Sequence, residues 1–143
     1  MEALLVSACL LGAPCRYDGR SKPNSEITRL LEKYTIIPVC PEVLGGLPTP
    51  RNPSERVGNR VIMSDGTDVT DNYLRGALEA LKLARLHNCK YALLKKNSPS
   101  CSNRMIYDGS FTGTLIEREG VTCELLTKNG ITVFCEDEIE KLL

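Results

Sequence analysis

Short apolar runs alternate with amphipathic helical segments along most of this chain. Four runs have the length and composition of buried strands, and they lie at residues 3–8, 35–39, 91–94 and 131–134. Segments with the apolar spacing of helices lie between or after them, at residues 25–34, 69–87, 121–128 and 136–142. Strands that alternate with helices form mostly parallel sheets with helices on both faces. We therefore predict an α/β fold with three layers and a Rossmann-like sheet.

The chain of 143 residues contains no internal repeat and no linker, so we expect one domain that spans residues 1–143. Two long loops interrupt the alternation, at residues 41–60 and 95–114. The first holds four prolines and three glycines, and a small strand is expected just after it, around Val61–Met63. Loops of this length in compact domains are usually functional or disordered.

Charge and hydropathy disfavour a nucleic-acid-binding protein and a membrane-spanning protein. Lysine and arginine total 18, as do aspartate and glutamate, so the formal net charge is zero. This balance disfavours a nucleic-acid binder, which needs a basic excess. No stretch approaches the roughly 18 apolar residues of a membrane span, and the N-terminus lacks a basic leader. We expect a cytoplasmic protein, and the sequence does not specify an oligomeric state.

The chain contains seven cysteines but only one histidine, His87. In a reducing compartment, cysteines are more often metal ligands, catalysts or core residues than disulfides. Cys9 and Cys40 directly follow the first two predicted strands, and Cys101 lies in the loop after the third. The carboxyl ends of parallel strands form the edge at which open α/β sheets bind their ligands. We therefore expect these three thiols to meet there, with Cys15 in the same loop as Cys9.

Several uses of such thiols fit the sequence at this point. Cys89 and Cys123 are interpreted as core residues, because free cysteine behaves as a small hydrophobic side chain. Cys135 follows the fourth predicted strand and could join the same edge, but the acidic residues 136–138 beside it would repel an anionic thiolate site, so it is also interpreted as a core residue. Thiolates suit a closed structural zinc site, and they equally suit an iron–sulfur cluster. No Cys-x-x-Cys pair is present, which disfavours a zinc ribbon or a dithiol redox motif. A sulfur or metal carrier and a persulfide-transfer protein are the remaining alternatives.

Four longer motifs resemble those of one small bacterial family. They are Ser7–Gly12 with Arg16–Gly19, Cys40–Glu42 with Gly45–Leu47 and Pro50–Pro53, Gly66–Thr70, and Ser98–Cys101 with Ile106–Phe111. In this order and over nearly the whole chain, they resemble the thiouracil desulfurase family.

The resemblance implies a [4Fe–4S] cluster held by Cys9, Cys40 and Cys101, with one iron left open. It implies that the substrate is a small thiolated base such as thiouracil, whose C–S bond is replaced by C–O without net redox chemistry, with release of sulfide. Cys15 is not part of the ligand set that the resemblance carries over.

Two polar residues near the expected ligands are candidates for catalysis. Glu42 follows Cys40 by two residues and is placed for proton transfer, the alternatives being a helix cap or a solvated loop acid. Ser98 precedes Cys101 by three residues and is interpreted either as a donor or proton relay to the substrate, or as part of a turn. Arg51 is expected either to bind an anionic substrate or to brace its loop.

Overall fold

The computed structural model describes all 143 residues, in eight strands, three α-helices and three 3-10 helices. The strands are β1 (Glu2–Ser7), β2 (Tyr34–Val39), β3 (Ser54–Val57), β4 (Arg60–Met63), β5 (Tyr91–Leu94), β6 (Met105–Tyr107), β7 (Leu115–Glu117) and β8 (Thr132–Cys135). The α-helices are α1 (Pro41–Leu44), α2 (Thr70–Leu86) and α3 (Val121–Lys128), and the 3-10 helices span Ala8–Leu11, Ser25–Leu30 and Glu136–Leu142.

The central sheet consists of four parallel strands in the order β2–β1–β5–β8. The four predicted strands are therefore all present, and the predicted α/β class with a parallel sheet is confirmed. Pro38 lies in β2, opposite Val6 of β1. Because β2 is an edge strand, the missing amide of Pro38 leaves no gap in the middle of the sheet.

Alternate residues of the strands point to opposite faces of the sheet. Leu5 and Ala92 belong to the apolar cluster that packs under α2 and α3. Leu4 and Leu93 belong to a second cluster, on the face covered by the 3-10 helices. The molecule thus has three layers, with the sheet in the middle.

The helices predicted at residues 25–34 and 136–142 are wrong in type and, for the first, in length. Both segments are 3-10 helices, and the first ends at Leu30 because β2 begins at Tyr34. A 3-10 helix rises about 2 Å per residue, more than an α-helix, so few residues cross this face of the sheet. The apolar spacing of this segment predicts a buried face of Ile27, Leu30, Leu31 and Tyr34, and of these four residues only Leu31 is exposed.

Helix α2 has nearly the predicted bounds. The apolar spacing predicts one buried face with Leu74, Ala77, Leu78, Leu81 and Ala84, and of these Ala77, Leu81 and Ala84 are buried. Leu74 and Leu78 are 50% and 53% exposed, whereas the small residues Gly76, Ala77 and Ala80 are buried. A face of small residues lets a neighbouring backbone approach closely. The spacing of the leucines alone did not reveal that small residues form much of the buried face.

The two predicted loops contain regular structure. The first holds α1 and continues into the antiparallel hairpin β3–β4, of which β4 includes the expected strand at Val61–Met63. The second holds β6, which pairs with β7. These strands have only three or four residues, and all of β7 is exposed, so they lack a clear apolar alternation.

None of the helices combines the length and apolar character needed to cross a membrane.

Glu138 anchors the last strand to the final 3-10 helix. Its Oε1 accepts hydrogen bonds from the Cys135 amide (3.0 Å) and from Asn103 (2.7 Å), and its Oε2 accepts one from Lys141 (2.9 Å). Burial by itself raises the pKa of Glu138, but the hydrogen bonds from Asn103, Lys141 and Cys135 outweigh burial and lower the pKa to about 2. The ionised carboxylate is therefore stabilised in the folded state.

Substitution Glu138→Gln is expected to lower the free energy of unfolding at pH 7 by about 1–3 kcal/mol, because charge-assisted hydrogen bonds are lost. The pKa of Glu138 is depressed on folding, so its contribution is present above about pH 4.5 and is lost as the pH falls to about 2. Urea unfolding at pH 7 and pH 2.5 measures this, with the exposed Glu140→Gln as control. If Glu138→Gln lowered the free energy of unfolding by the same amount at both pH values, the lowered pKa of Glu138 would be contradicted.

Candidate functional site

A cavity of about 580 Å³ opens at the carboxyl ends of β1, β2 and β5. Four of the seven cysteines line it, namely Cys9, Cys15, Cys40 and Cys101. Glu42 and Ser98 line it as well, so the structure brings every candidate site residue of the sequence into one cavity. All seven cysteines are free thiols. Cys89, Cys123 and Cys135 are buried and do not line this cavity.

Cys9 is held by a tight turn at the end of β1. It lies in the 3-10 helix Ala8–Leu11, and Gly12 ends that helix with a φ of 101°, in the left-handed region. The carbonyl of Cys9 accepts hydrogen bonds from the amides of Gly12 (3.3 Å) and Lys22 (2.9 Å). The residues that follow the turn then return to the cavity and bring a second thiol into it.

That second thiol, Cys15, was expected in the same loop as Cys9 but was not part of the predicted ligand set. Its backbone carbonyl accepts a hydrogen bond from Sγ of Cys40 at 3.8 Å. Interaction with the Cys40 thiol lowers the pKa of Cys15, but interaction with the Cys9 thiol and burial together raise the pKa above its ordinary value. The only sequence signal for Cys15 was that it shares a loop with Cys9.

Cys40 and Glu42 are positioned by the close packing of α1 on α2. A Cβ atom on Gly45 would lie 2.0 Å from the Asn72 carbonyl oxygen, and one on Gly76 would lie 1.9 Å from the Pro41 carbonyl oxygen. The Asn72 side chain also donates to the Gly45 carbonyl at 2.9 Å. The two glycines therefore permit a backbone contact that brings Glu42 onto α2.

Glu42 is bound through both carboxylate oxygens. Oε2 accepts a hydrogen bond from Nη2 of Arg51 at 2.9 Å, and Oε1 accepts one from the hydroxyl of Tyr73. Arg51 also donates to the carbonyls of Cys15 (3.0 Å) and Pro48 (3.1 Å). Of the two expectations for Arg51, these contacts are those of a brace. Glu42 lies in the first turn of α1, but its side chain makes these contacts instead of capping the helix.

Cys101 is held by its own loop and by the start of α3. The amides of Val121 and Thr122 donate to the carbonyls of Pro99 (2.9 Å) and Ser100 (2.8 Å). The Oγ of Ser98 accepts hydrogen bonds from the amides of Ser100 (3.1 Å) and Cys101 (3.0 Å), which are the contacts of a turn.

Burial, together with the negative charge of Glu42, raises the pKa of the Cys101 thiol to about 12. The pKa of the Cys40 thiol is also raised, by its hydrogen bond with Cys15 and by burial. Both thiols are therefore held in the neutral form until a cation lowers their pKa.

The donor set of this cavity consists mainly of thiols. It presents thiols from three separate strand-end loops, and His87 does not line it. No three His, Cys, Asp or Glu side chains converge in the way that holding one metal ion requires. A cubane cluster takes each thiolate at a different iron, so its ligands stand apart around a cavity. The chemistry of the residues present fits such a cluster.

Comparison with known proteins decides the family. The model of the 2-thiouracil desulfurase family matches residues 4–138. The chain belongs to the 2-thiouracil desulfurase family. A relative from Bacillus subtilis (strain 168), the uncharacterised protein YbbK, is 38% identical over 150 aligned residues, which cover 98% of this chain and 99% of YbbK.

A solved structure in the comparison is named [4Fe-4S]-dependent thiouracil desulfidase TudS. It is 46% identical to this chain and has a TM-score of 0.94. The match covers 99% of this chain and 95% of the TudS chain. The resemblance to the thiouracil desulfurase family drawn from the four motifs is confirmed, and so is the fold class. The assignment of Cys9, Cys40 and Cys101 as ligands, and the roles of Glu42 and Ser98, remain predictions.

Proposed function

We propose that this member of the 2-thiouracil desulfurase family uses an iron–sulfur cluster to remove sulfur from a small thiolated base such as thiouracil. The observation that carries the proposal is the cavity at the sheet edge, where four thiols and a braced carboxylate meet. The name of the TudS structure, at 46% identity, supports both the cluster and the substrate class. Because free thiols persist in reducing compartments, we also propose a cytoplasmic location.

In this proposal, Cys9, Cys40 and Cys101 hold a [4Fe–4S] cluster. Each thiol comes from a different loop, and the three loops follow adjacent strands of the sheet. When bound, such a cluster supplies one iron without a protein ligand, a Lewis acid that polarises a thiocarbonyl and binds its sulfur. Cys15 lies beside two of the proposed ligands and stays outside the ligand set.

Glu42 and Ser98 supply the proton chemistry and the hydrogen bonding. The oxygen of a water molecule bonds to the thiocarbonyl carbon, the C–S bond breaks, and the two protons of that water leave with the sulfur as hydrogen sulfide, so no electron donor is required. Glu42 accepts a proton from that water, because each of its oxygens keeps a lone pair beyond the contacts to Arg51 and Tyr73. Ser98 accepts two amide bonds through Oγ, which leaves its hydroxyl hydrogen free to donate to the substrate.

The aromatic side chains of the cavity provide a surface for a planar ring. Tyr17, Tyr107 and Phe111 line it, and all three keep part of their surface exposed. The other four aromatic residues pack elsewhere, because Tyr34 and Tyr73 are buried and Tyr91 pairs with Phe134. Stacking of a base on an aromatic side chain contributes about 1–3 kcal/mol, which suits a small heteroaromatic substrate.

Anaerobic reconstitution with iron and sulfide tests the proposal. We expect a brown protein that absorbs near 400 nm, holds about four irons per chain, and releases sulfide from 2-thiouracil or 4-thiouracil. Reaction in ¹⁸O-labelled water is expected to place the label in the product base. Sulfide release by protein that contains no iron would contradict the cluster-dependent mechanism. A reconstituted cluster with no activity on either base would point to a metal or sulfur carrier.

A further inference from the structure

The carboxylate of Glu42, in the first turn of α1, is held by a separate side-chain donor at each of its two oxygens. One oxygen faces the Arg51 guanidinium at 2.9 Å and the other faces the Tyr73 hydroxyl, so its two donors come from different parts of the chain. Arg51 lies in the segment before β3, and Tyr73 lies in the first turns of α2. Together they fix the plane and the direction of the carboxylate.

Both donors are buried, whereas the carboxylate reaches the cavity. The side chain of Arg51 is 1% exposed and that of Glu42 is 19% exposed. Tyr73 is almost fully buried, and its ring packs with Leu47, Val61 and Val69. The two donors therefore lie behind Glu42, away from the position of a substrate. Burial and the negative charge of Glu42 raise the pKa of Tyr73 well above its ordinary value, so its hydroxyl keeps its proton.

We propose that Tyr73 and Arg51 are positioning residues that hold the Glu42 carboxylate in the orientation required for proton transfer. This inference rests on the proposed function. Neither residue lines the cavity, so neither is expected to touch the substrate. Hydrogen bonds to a catalytic carboxylate set its direction, and small errors in position reduce the rate steeply.

Tyr73→Phe is the cleaner test, because it removes one hydroxyl and leaves the packed ring. Arg51 also braces two carbonyls, so its removal disturbs the loops as well. Tyr34→Phe is a matched control. Tyr34 is equally buried, and its hydroxyl donates to the Leu142 carbonyl at 2.9 Å, at the opposite end of β2 from Cys40.

After anaerobic reconstitution, Tyr73→Phe is expected to keep the iron content and melting temperature of Tyr34→Phe. Its kcat for sulfide release is expected to fall by about 10-fold with KM within about twofold, because only an orientation used in the transition state is lost. If the reconstituted wild-type protein is active and Tyr73→Phe has the same kcat as Tyr34→Phe, the inference is overturned.

A double-mutant cycle separates positioning from general damage to the fold. If Tyr73 acts through Glu42, adding Tyr73→Phe to Glu42→Gln is expected to change kcat by less than about twofold. A further loss of about 10-fold in the double variant would show that Tyr73 acts independently of Glu42, and would reject the inference. The proposed function fails separately, when reconstituted wild-type protein releases no sulfide.

Discussion

Each of the substitutions Cys9→Ser, Cys40→Ser and Cys101→Ser is expected to remove most of the iron and sulfide that the reconstituted wild-type protein retains. A serine hydroxyl has nearly the shape of the thiol, but it does not ionise near neutral pH and is a poor ligand for the soft iron–sulfur core. Sulfide release is expected to fall with the cluster, below about 1% of wild type if the open iron supplies several kcal/mol to the transition state. Iron and acid-labile sulfide, measured per chain after anaerobic reconstitution, check this.

The same substitution at other positions provides the control. Cys89 and Cys123 lie outside the cavity, and Cys89→Ser and Cys123→Ser are expected to keep the cluster in the folded protein. Cys15→Ser is also expected to keep most of it, which distinguishes a neighbouring thiol from a ligand. Equal cluster content in Cys9→Ser and Cys89→Ser would refute the ligand assignment. Loss of the cluster in Cys15→Ser would add a fourth ligand to the set.

The location of the site was predictable because it depends on topology. Cys9, Cys40 and Cys101 follow successive parallel strands, and parallel strands end at one edge of the sheet. This inference needs only the order of strands and helices, which four short apolar runs provide. Small errors in helix type, such as the 3-10 helix at Ser25–Leu30, do not move that edge.

The surroundings of Glu42 were not predictable in the same way. Its contact with Tyr73 joins residues 31 positions apart, and it depends on the backbone approach that Gly45 and Gly76 allow. Glycine in a helix is read from sequence only as a weak helix former, not as a docking point. Nothing in the sequence therefore singled out Tyr73. Arg51 was recognised as a possible brace, but its partners became apparent only in three dimensions.

Glu42→Gln is expected to slow sulfide release strongly while the cluster stays in place. Glutamine keeps the length of the side chain and can still contact Arg51 or Tyr73, but it cannot accept a proton from water. Because Glu42 is not among the proposed ligands, the iron content is expected to stay near that of wild type. General acid–base groups contribute about 10²–10⁴-fold, and the rate of sulfide release from 2-thiouracil is expected to fall on that scale.

Glu124→Gln is the matched control for the loss of a carboxylate paired with a buried arginine. The Glu124 side chain is 32% exposed and is paired with Arg56 at 2.6 Å, and neither residue lines the cavity. Removal of its charge tests the general cost of breaking a partly buried ion pair, which appears in the melting temperature more than in the rate of the folded protein. If Glu42→Gln with an intact cluster works within about threefold of wild type, proton transfer belongs to another group. Ser98 is then the next residue to replace, because its hydroxyl hydrogen is free to donate to the substrate.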